Sequence, residues 1–218
     1  MKLTITGNIA PFAHLQPAPG EGVWLSSGAL MAYLPGVEWE LRVPGGVSGA
    51  MRRMFSGEGL TLTYATARAA DDWLTVAANA PGYIEVWDLA DGPVTTTRGS
   101  FLAAWGPEVD INVTVARAGA ALFGGAGLLL QRISGSGTVL IHGSGDRLEQ
   151  RLDADQTIVV SSGNLAAFAA TVDYSIKTVG GVRKALFGGE GIFMTRLTGP
   201  GRVLLQTIKR GTAAKAYS

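Results

Sequence analysis

The sequence has no cysteine, which excludes disulfide bonds, zinc sites built from thiolates and cysteine nucleophiles. Charge is also scarce, because only 16% of the residues are charged, against about 25% in an average soluble protein. The formal net charge is +1, so no electrostatic argument favours binding to nucleic acid or to an anionic membrane. A surface with so few charges exposes apolar area unless another chain covers it, and we therefore expect a homo-oligomer.

Long apolar segments are missing as well. The first ten residues, MKLTITGNIA, lack the apolar run of a secretory signal peptide. No uncharged run elsewhere is long enough to span a membrane. The sequence therefore predicts a cytoplasmic protein.

Glycine is abundant, with 31 residues. Three glycine-rich hexapeptides have nearly the same sequence. These are MFSGEG at 54–59, LFGGAG at 122–127 and LFGGEG at 186–191. Each follows an alternating segment, which reads VEWEL at 37–41, VDINV at 109–113 and VDYSI at 172–176. Further upstream lie SSGALMAY at 26–33, RGSFLAAW at 98–105 and SSGNLAAF at 161–168. The common order predicts one domain over residues 1–218, with internal repeats at about 15–88, 89–151 and 152–208.

A second glycine turn follows each hexapeptide. It reads GSGTVLI at 135–141 and GPGRVLL at 199–205, and the first repeat offers APGYIEV at 80–86. This last segment comes later after its hexapeptide than the other two do, which predicts an insertion in the first repeat that lengthens two strands around 67–72.

The segments between the glycine turns indicate the fold class. EGVWLSS, ALMAYL, EWELRV, LTLTYA and YIEVWDL are short, rich in aliphatic and aromatic residues, and separated by Gly, Pro or Asp. Several alternate apolar with polar residues, which is the pattern of half-buried strands. We therefore predict an all-β fold with little helix, in which three β repeats pack about a pseudo-threefold axis. A closed or nearly closed body would leave few free strand edges.

Four of these motifs together resemble the AIM24 family, whose eukaryotic members are linked to mitochondrial inheritance. The motifs are RRMFSGEGL at 52–60, APGYIEVWDL at 80–89, SGSGTVLIHGSG at 134–145 and LTGPGRVLLQT at 197–207. The resemblance implies a fold like that of the tryptophan RNA-binding attenuator protein, a variant of the double-stranded β-helix. It implies no catalytic residues, because the family has no established reaction.

Charged residues flank two of the three hexapeptides. Arg52 and Arg53 precede the first, which contains Glu58, and Arg183 and Lys184 precede the third, which contains Glu190. The middle copy has Ala126 in place of the acid. Either these groups pair with each other across a turn, where an exposed pair contributes less than about 1 kcal/mol, or they gather at one end of the body and bind an anionic ligand or partner.

The middle copy lies in the uncharged segment AGAALFGGAGLLLQ at 118–131. It is either a pair of core strands or an exposed apolar tip that meets a sister subunit or a membrane surface. In the second case Leu122, Phe123, Leu128 and Leu129 form the interface.

Other chemistries find little support. The two histidines, His14 and His142, occupy non-equivalent places in different repeats, so we expect no metal site. The glycine turns lack the GK[ST] of a phosphate-binding loop, and no nucleophile elbow is present. We expect no cofactor and no enzymatic activity.

The sequence favours a self-associating β scaffold or interaction module, and the alternative is a small-anion or RNA binder that uses the Arg and Glu loops. RNA is disfavoured, because the tryptophans lie on strand patterns and the basic residues are scattered.

Overall fold

The computed structural model describes residues 1–45, 61–116, 128–178 and 193–210. Apart from single 3-10 turns at Leu89–Asp91 and Ser162–Asn164, all regular structure in these ranges is β, so the predicted all-β fold class is confirmed. No helix in the described ranges has the length and apolar character needed to cross a membrane. In chain order the strands are β1 (Lys2–Thr6), β2 (Phe12–Gln16), β3 (Gly22–Leu25), β4 (Leu30–Tyr33), β5 (Val37–Arg42), β6 (Leu62–Ala67), β7 (Leu74–Ala77), β8 (Gly82–Asp88), β9 (Val94–Thr97), β10 (Phe101–Ala116), β11 (Leu128–Ser144), β12 (Arg147–Leu152), β13 (Thr157–Ser161), β14 (Leu165–Ala169), β15 (Asp173–Thr178), β16 (Phe193–Thr198) and β17 (Gly201–Gln206).

The strands of the described residues form three antiparallel sheets. One has the order β1-β2-β7-β4 and another the order β13-β16-β15. The largest runs β12-β17-β14-β9-β11-β10-β3-β6-β5, with β8 also paired to β11. The sheets are open, so the expectation of closure within them is wrong. They stay open because β5 and β15 each end a sheet without an outer strand partner in the described part of the chain.

One pairing pattern occurs three times along the chain. Strands β7, β11 and β17 each lie between two partners, which are β2 and β4, β8 and β10, and β12 and β14. In each case the register shifts by one residue after the first pair formed with β4, β10 or β14. Those first pairs are Leu30–Val76, Phe101–Ile141 and Leu165–Leu205. The shared register makes the next residues, Ala77, His142 and Gln206, equivalent positions.

Strand β7 takes, in the first unit, the place that β11 and β17 take in the other two. The segment APGYIEV, expected at the end of the first repeat, lies mostly in β8, and β8 pairs with β11. Two strands meet around residues 67–72, because β6 ends at Ala67 and a turn then leads into β7. In this turn the carboxylate of Asp72 accepts hydrogen bonds from the N–H groups of Arg68 and Ala69, at 3.0 and 2.7 Å. Because an aspartate makes the turn, no glycine marks the start of β7.

Three antiparallel hairpins, β5–β6, β10–β11 and β15–β16, flank the glycine-rich hexapeptides. The hexapeptides themselves lie in the connections, outside the described residues. Within the strands, Trp39 pairs with Ala65, Ile111 with Ile133, and Tyr174 with Leu197. Trp39, Ile111 and Tyr174 are therefore equivalent positions of the three hairpins.

The core consists of three groups of buried apolar side chains, each of which draws residues from more than one unit of the chain. The first includes Leu15, Leu25 and Leu74, the second includes Phe101, and the third includes Phe168. These five side chains are all at least 98% buried. Full burial of one such side chain contributes about 1.5–3 kcal/mol, so the three groups supply much of the energy that holds the sheets together.

Candidate functional site

Most of the site residues expected from the sequence fall outside the described residues. These are Arg52, Arg53, Glu58, Leu122, Phe123, Arg183, Lys184 and Glu190. Of the other two, Leu128 begins β11, and the side chain of Leu129 is 7% exposed, so it is buried within the chain itself. The binding role of the charged loops and the interface role of the apolar segment stay predictions.

The described residues contain a different cluster, centred on Arg210 after the last strand. Its side chain is held by two buried serines and a buried histidine. Nε donates to the Ser144 hydroxyl at 3.1 Å, Nη1 donates to the Ser100 hydroxyl, and Nη2 donates to the His142 carbonyl at 3.0 Å. The backbone also fixes the residue, because the Arg210 N–H donates to the Gly163 carbonyl at 3.0 Å. The guanidinium is thus held in one orientation by residues from several strands and turns.

His142 is the second member of the cluster, and its side chain is 99% buried near the end of β11. Arg210 Nη2 also donates to Nδ1 of this ring. Since arginine has no acceptor, Nδ1 must be the unprotonated nitrogen, which places the ring proton on Nε2. Nε2 is buried and has no hydrogen-bond partner among the described residues.

Burial sets the protonation states of the cluster. It lowers the pKa of His142 to about 4, with the positive charge of Arg210 acting in the same direction and the Ala80 backbone opposing. Burial also lowers the pKa of Arg210, to about 10, and Tyr83 opposes this change. Burial and the nearby Glu85 raise the pKa of Tyr83 to about 12, and its hydroxyl donates to the Leu205 carbonyl at 2.9 Å. At neutral pH the histidine is uncharged and the arginine is a cation.

A cavity of about 270 Å³ opens beside this cluster. It is lined by residues 26–29 after β3, residues 77–80 after β7, the segment of Gly99, Phe101 and Leu102, and the side chains of His142 and Arg210. Its size is at the small end of ligand-binding sites. Chemically, the cavity offers one positive charge, several hydrogen-bond donors and an apolar wall.

A glycine pair determines how closely the chain approaches His142. A Cβ atom on Gly82 would lie 1.9 Å from the Gly143 carbonyl oxygen and 2.8 Å from His142 Nε2. On the neighbouring strand, a Cβ on Gly143 would overlap the Tyr83 ring at 2.1 Å. Strands β8 and β11 can pack this tightly only because both positions lack a side chain.

A second polar cluster joins β8 to β12 and β17. Arg202 makes ion pairs with Glu85 and, at 3.0 Å, with Glu149. Arg147 pairs with the same two carboxylates, at 2.7 Å for Glu85. The Arg202 guanidinium lies over the Trp87 ring, 4.7 Å from its centroid. The opposite charges within the cluster are paired, so it ties strands together and leaves no obvious charge for a ligand.

The first hairpin carries two exposed apolar side chains on β5, Trp39 and Leu41, which are 47% and 62% exposed. Met31 and Tyr33 on the preceding strand, β4, are exposed as well. Of the positions equivalent to Trp39, Tyr174 in the third hairpin is 40% exposed, whereas Ile111 in the second is 2% exposed and shares a core group with Leu62 of β6.

Sequence reasoning missed Arg210 and considered His142 only as a metal ligand, which it rejected. The two are 68 positions apart, and neither lies in a recognisable motif. One signal could have pointed to His142. It occupies the position equivalent to Ala77 and Gln206, and it is the only one of the three with a titratable side chain. This equivalence follows from the strand register, which the sequence did not reveal. In the described ranges, no three His, Asp or Glu side chains converge as a metal site would require.

Comparison with known proteins agrees with the fold. The crystal structure of the protein SPYM3_0169 from Streptococcus pyogenes superimposes with a TM-score of 0.79, over 95% of this chain and 94% of that chain, at 24% sequence identity. A search of curated proteins found no match. A protein-family model described as "Mitochondrial biogenesis AIM24" matches residues 3–208. Since that match spans nearly the whole sequence, the chain belongs to the AIM24 family.

Proposed function

We propose that this protein is a non-enzymatic interaction module of the cytoplasm that associates with further copies of itself. The observation that carries the proposal is the group of exposed apolar side chains formed by Trp39 and Leu41 on the first hairpin and by Met31 and Tyr33 on the neighbouring strand β4. Exposed apolar surface of this kind is typical of sites where proteins associate.

The arrangement of the three hairpins supports a second copy as the partner. Leu62 of the first hairpin shares a core group with Ile111 of the second, and Leu130 of the second shares one with Leu197 of the third. Adjacent hairpins thus share core groups, but Tyr174 of the third stays 40% exposed, and Trp39 of the first is 47% exposed. A neighbouring copy offers a hairpin of the same shape and chemistry for that place. The open edge of β5 adds unpaired backbone groups that a partner can also protect.

We infer from the recurring strand pairing that the chain consists of three copies of one unit about a pseudo-threefold axis. This agrees with the variant of the double-stranded β-helix that the family resemblance implies.

The test compares the solution mass of variants by light scattering. The double variant Trp39→Ser with Leu41→Ser removes the apolar surface at exposed positions, and we expect it to have the 22.6 kDa mass of a single chain while its circular dichroism stays native. Leu148→Ser is the matched control, because Leu148 is also 48% exposed but lies on β12, away from the first hairpin. A double variant with the same mass as the unmodified chain would refute this interface.

The uncharged segment at 118–131 is the alternative location for the self-association interface. Leu122→Asp introduces a charge there, and a drop in mass with this variant alone would place the interface in that segment. If Leu122→Asp leaves the mass unchanged while the Trp39 and Leu41 variant lowers it, the first hairpin is the interface.

A further inference from the structure

The cavity beside Arg210 holds a positive charge that no described acid neutralises. None of the carboxylates in the described part of the chain lies within ion-pair distance of the guanidinium, whereas Arg42, Arg68, Arg147, Arg151 and Arg202 all have such partners. Burying a charge without a counter-ion is costly, and proteins usually pair it. An anion in the cavity would remove this cost.

The hydrogen bonds of Arg210 also leave capacity for a ligand. A guanidinium has five N–H groups. Three nitrogens make four bonds to Ser100, Ser144 and His142, so one N–H of Nη1 has no acceptor among the described residues. Ser26, Ser27 and Asn79, which carry hydroxyl and amide groups, line the same cavity. These groups can donate to the second oxygen of an anionic head group.

The rest of the cavity wall is apolar. Ala29, Ala77 and Ala78 line one side, and Phe101 and Leu102 line another. The volume of about 270 Å³ is about nine times the ~30 Å³ that one water molecule occupies in the liquid. The cavity therefore suits a ligand of few heavy atoms with a short hydrocarbon part.

We propose that this cavity binds a small aliphatic carboxylate, with the carboxylate on Arg210 and the hydrocarbon chain against the alanines of residues 29 and 77–78. A carboxylate carries a single negative charge, which one arginine neutralises; one of its oxygens can accept the free Nη1 N–H, and the other can accept from a polar group of the cavity wall. A phosphate dianion would bring a second charge for which the described cavity has no cation. His142, uncharged at neutral pH, adds no positive charge. This site goes beyond self-association and does not depend on it.

The binding test titrates the isotopically labelled full chain with three probes at constant ionic strength and follows the amide signals by NMR. Butyrate should saturate with a dissociation constant of about 1 mM, as expected for six heavy atoms at an ordinary ligand efficiency. Its uncharged analogue butyramide and inorganic phosphate should each bind at least about tenfold more weakly, since each lacks the single matched charge. The shifted amides should be those around Ser27, Gly99 and His142.

Variants locate the site. Arg210→Gln should weaken butyrate binding at least about tenfold, because it removes the cation but keeps a polar side chain. Arg68→Gln is the matched control: Arg68 is 66% exposed and pairs with Glu38 on the surface, so affinity should not change. Ala78→Leu narrows the cavity without altering its charge, and should weaken butyrate more than acetate. This variant also tests the site if Arg210→Gln does not fold.

The proposal is overturned if butyrate does not saturate, if phosphate or butyramide binds as tightly as butyrate, or if butyrate affinity survives both Arg210→Gln and Ala78→Leu. Because the readout is ligand affinity, its failure is distinct from a failure of the self-association test, which measures mass.

Discussion

Arg210 Nη2 donates a hydrogen bond to Nδ1 of His142, and this contact joins the last described residues of the chain to the middle strand of its second unit. Ser100 lies on the other side of the pair, with its carbonyl accepting from the His142 N–H at 2.8 Å and its hydroxyl accepting from Arg210. The geometry requires an unprotonated Nδ1, so the contact exists only while His142 is neutral.

The first prediction is a loss of stability in mild acid that depends on His142. An unfolded histidine takes up its proton near pH 6.5, whereas His142 in the native state does so only near pH 4. Between these values the unfolded chain binds more protons, so stability is complete above about pH 6.5 and falls as the pH decreases toward 4. The pKa difference corresponds to about 3 kcal/mol. Urea unfolding at pH 7 and at pH 4.5 measures the change.

His142→Gln is the non-titrating reference for that measurement. Glutamine is compatible with this position, because Gln206 occupies the equivalent position in the third unit. There its side-chain amide donates a hydrogen bond to the Gly163 carbonyl at 2.8 Å. The variant should lose much less stability between pH 7 and pH 4.5 than the unmodified chain. Equal losses in both proteins would mean that other groups cause the acid sensitivity.

The second prediction concerns the ion-pair cluster on β8, β12 and β17. Arg202 is 19% exposed and faces Glu85 and Glu149, which are 15% and 19% exposed. Arg202→Met keeps the packing on Trp87 but leaves two poorly solvated carboxylates with fewer partners, and should cost about 3 kcal/mol of unfolding free energy. The measurement is urea unfolding at pH 7.

Arg151 supplies the control for this cluster. It pairs with the same Glu149 at 3.4 Å but is 80% exposed. Arg151→Met should change stability by no more than about 0.5 kcal/mol. If the two variants lose the same amount, burial is not what makes the Arg202 pairs important.

The third prediction tests the close approach of β8 and β11. Gly82→Ala brings a methyl group against the Gly143 carbonyl and His142 Nε2, and neither neighbour is a flexible side-chain end that can move aside. We expect a loss of about 1–3 kcal/mol in thermal or urea unfolding. In Gly45→Ala the nearest described atom to the new methyl, Asp110 Oδ1, is 3.9 Å away, so this variant should be close to neutral. A neutral Gly82→Ala would show that the two strands separate easily.

Much of the fold follows from local patterns in the sequence. The alternating segments predict β3 to β6 and β8, because residues on one face of a strand pack against the core while the other face meets solvent. Strand β7 escaped prediction because Asp72, and not a glycine, makes the preceding turn. The expected closure failed because the outer edges of β5 and β15 depend on long-range pairing, which local alternation does not encode.

The candidate site could not be predicted in the same way. Arg210 and His142 meet only after β11 and β17 have found their places, and the significance of both depends on burial. A glycine-rich hexapeptide is visible in the sequence because it recurs, whereas an unpaired buried cation becomes visible only when its neighbours are known. The loops that recur and the side chains that form the described cavity are therefore different parts of the chain.

The mass of the unmodified chain in solution, measured by sedimentation equilibrium over a range of micromolar concentrations, tests the central claim most directly. Self-association through the exposed surface of the first hairpin predicts an integral multiple of 22.6 kDa that decreases on dilution or on removal of Trp39 and Leu41. A constant mass of 22.6 kDa at every concentration would contradict the account.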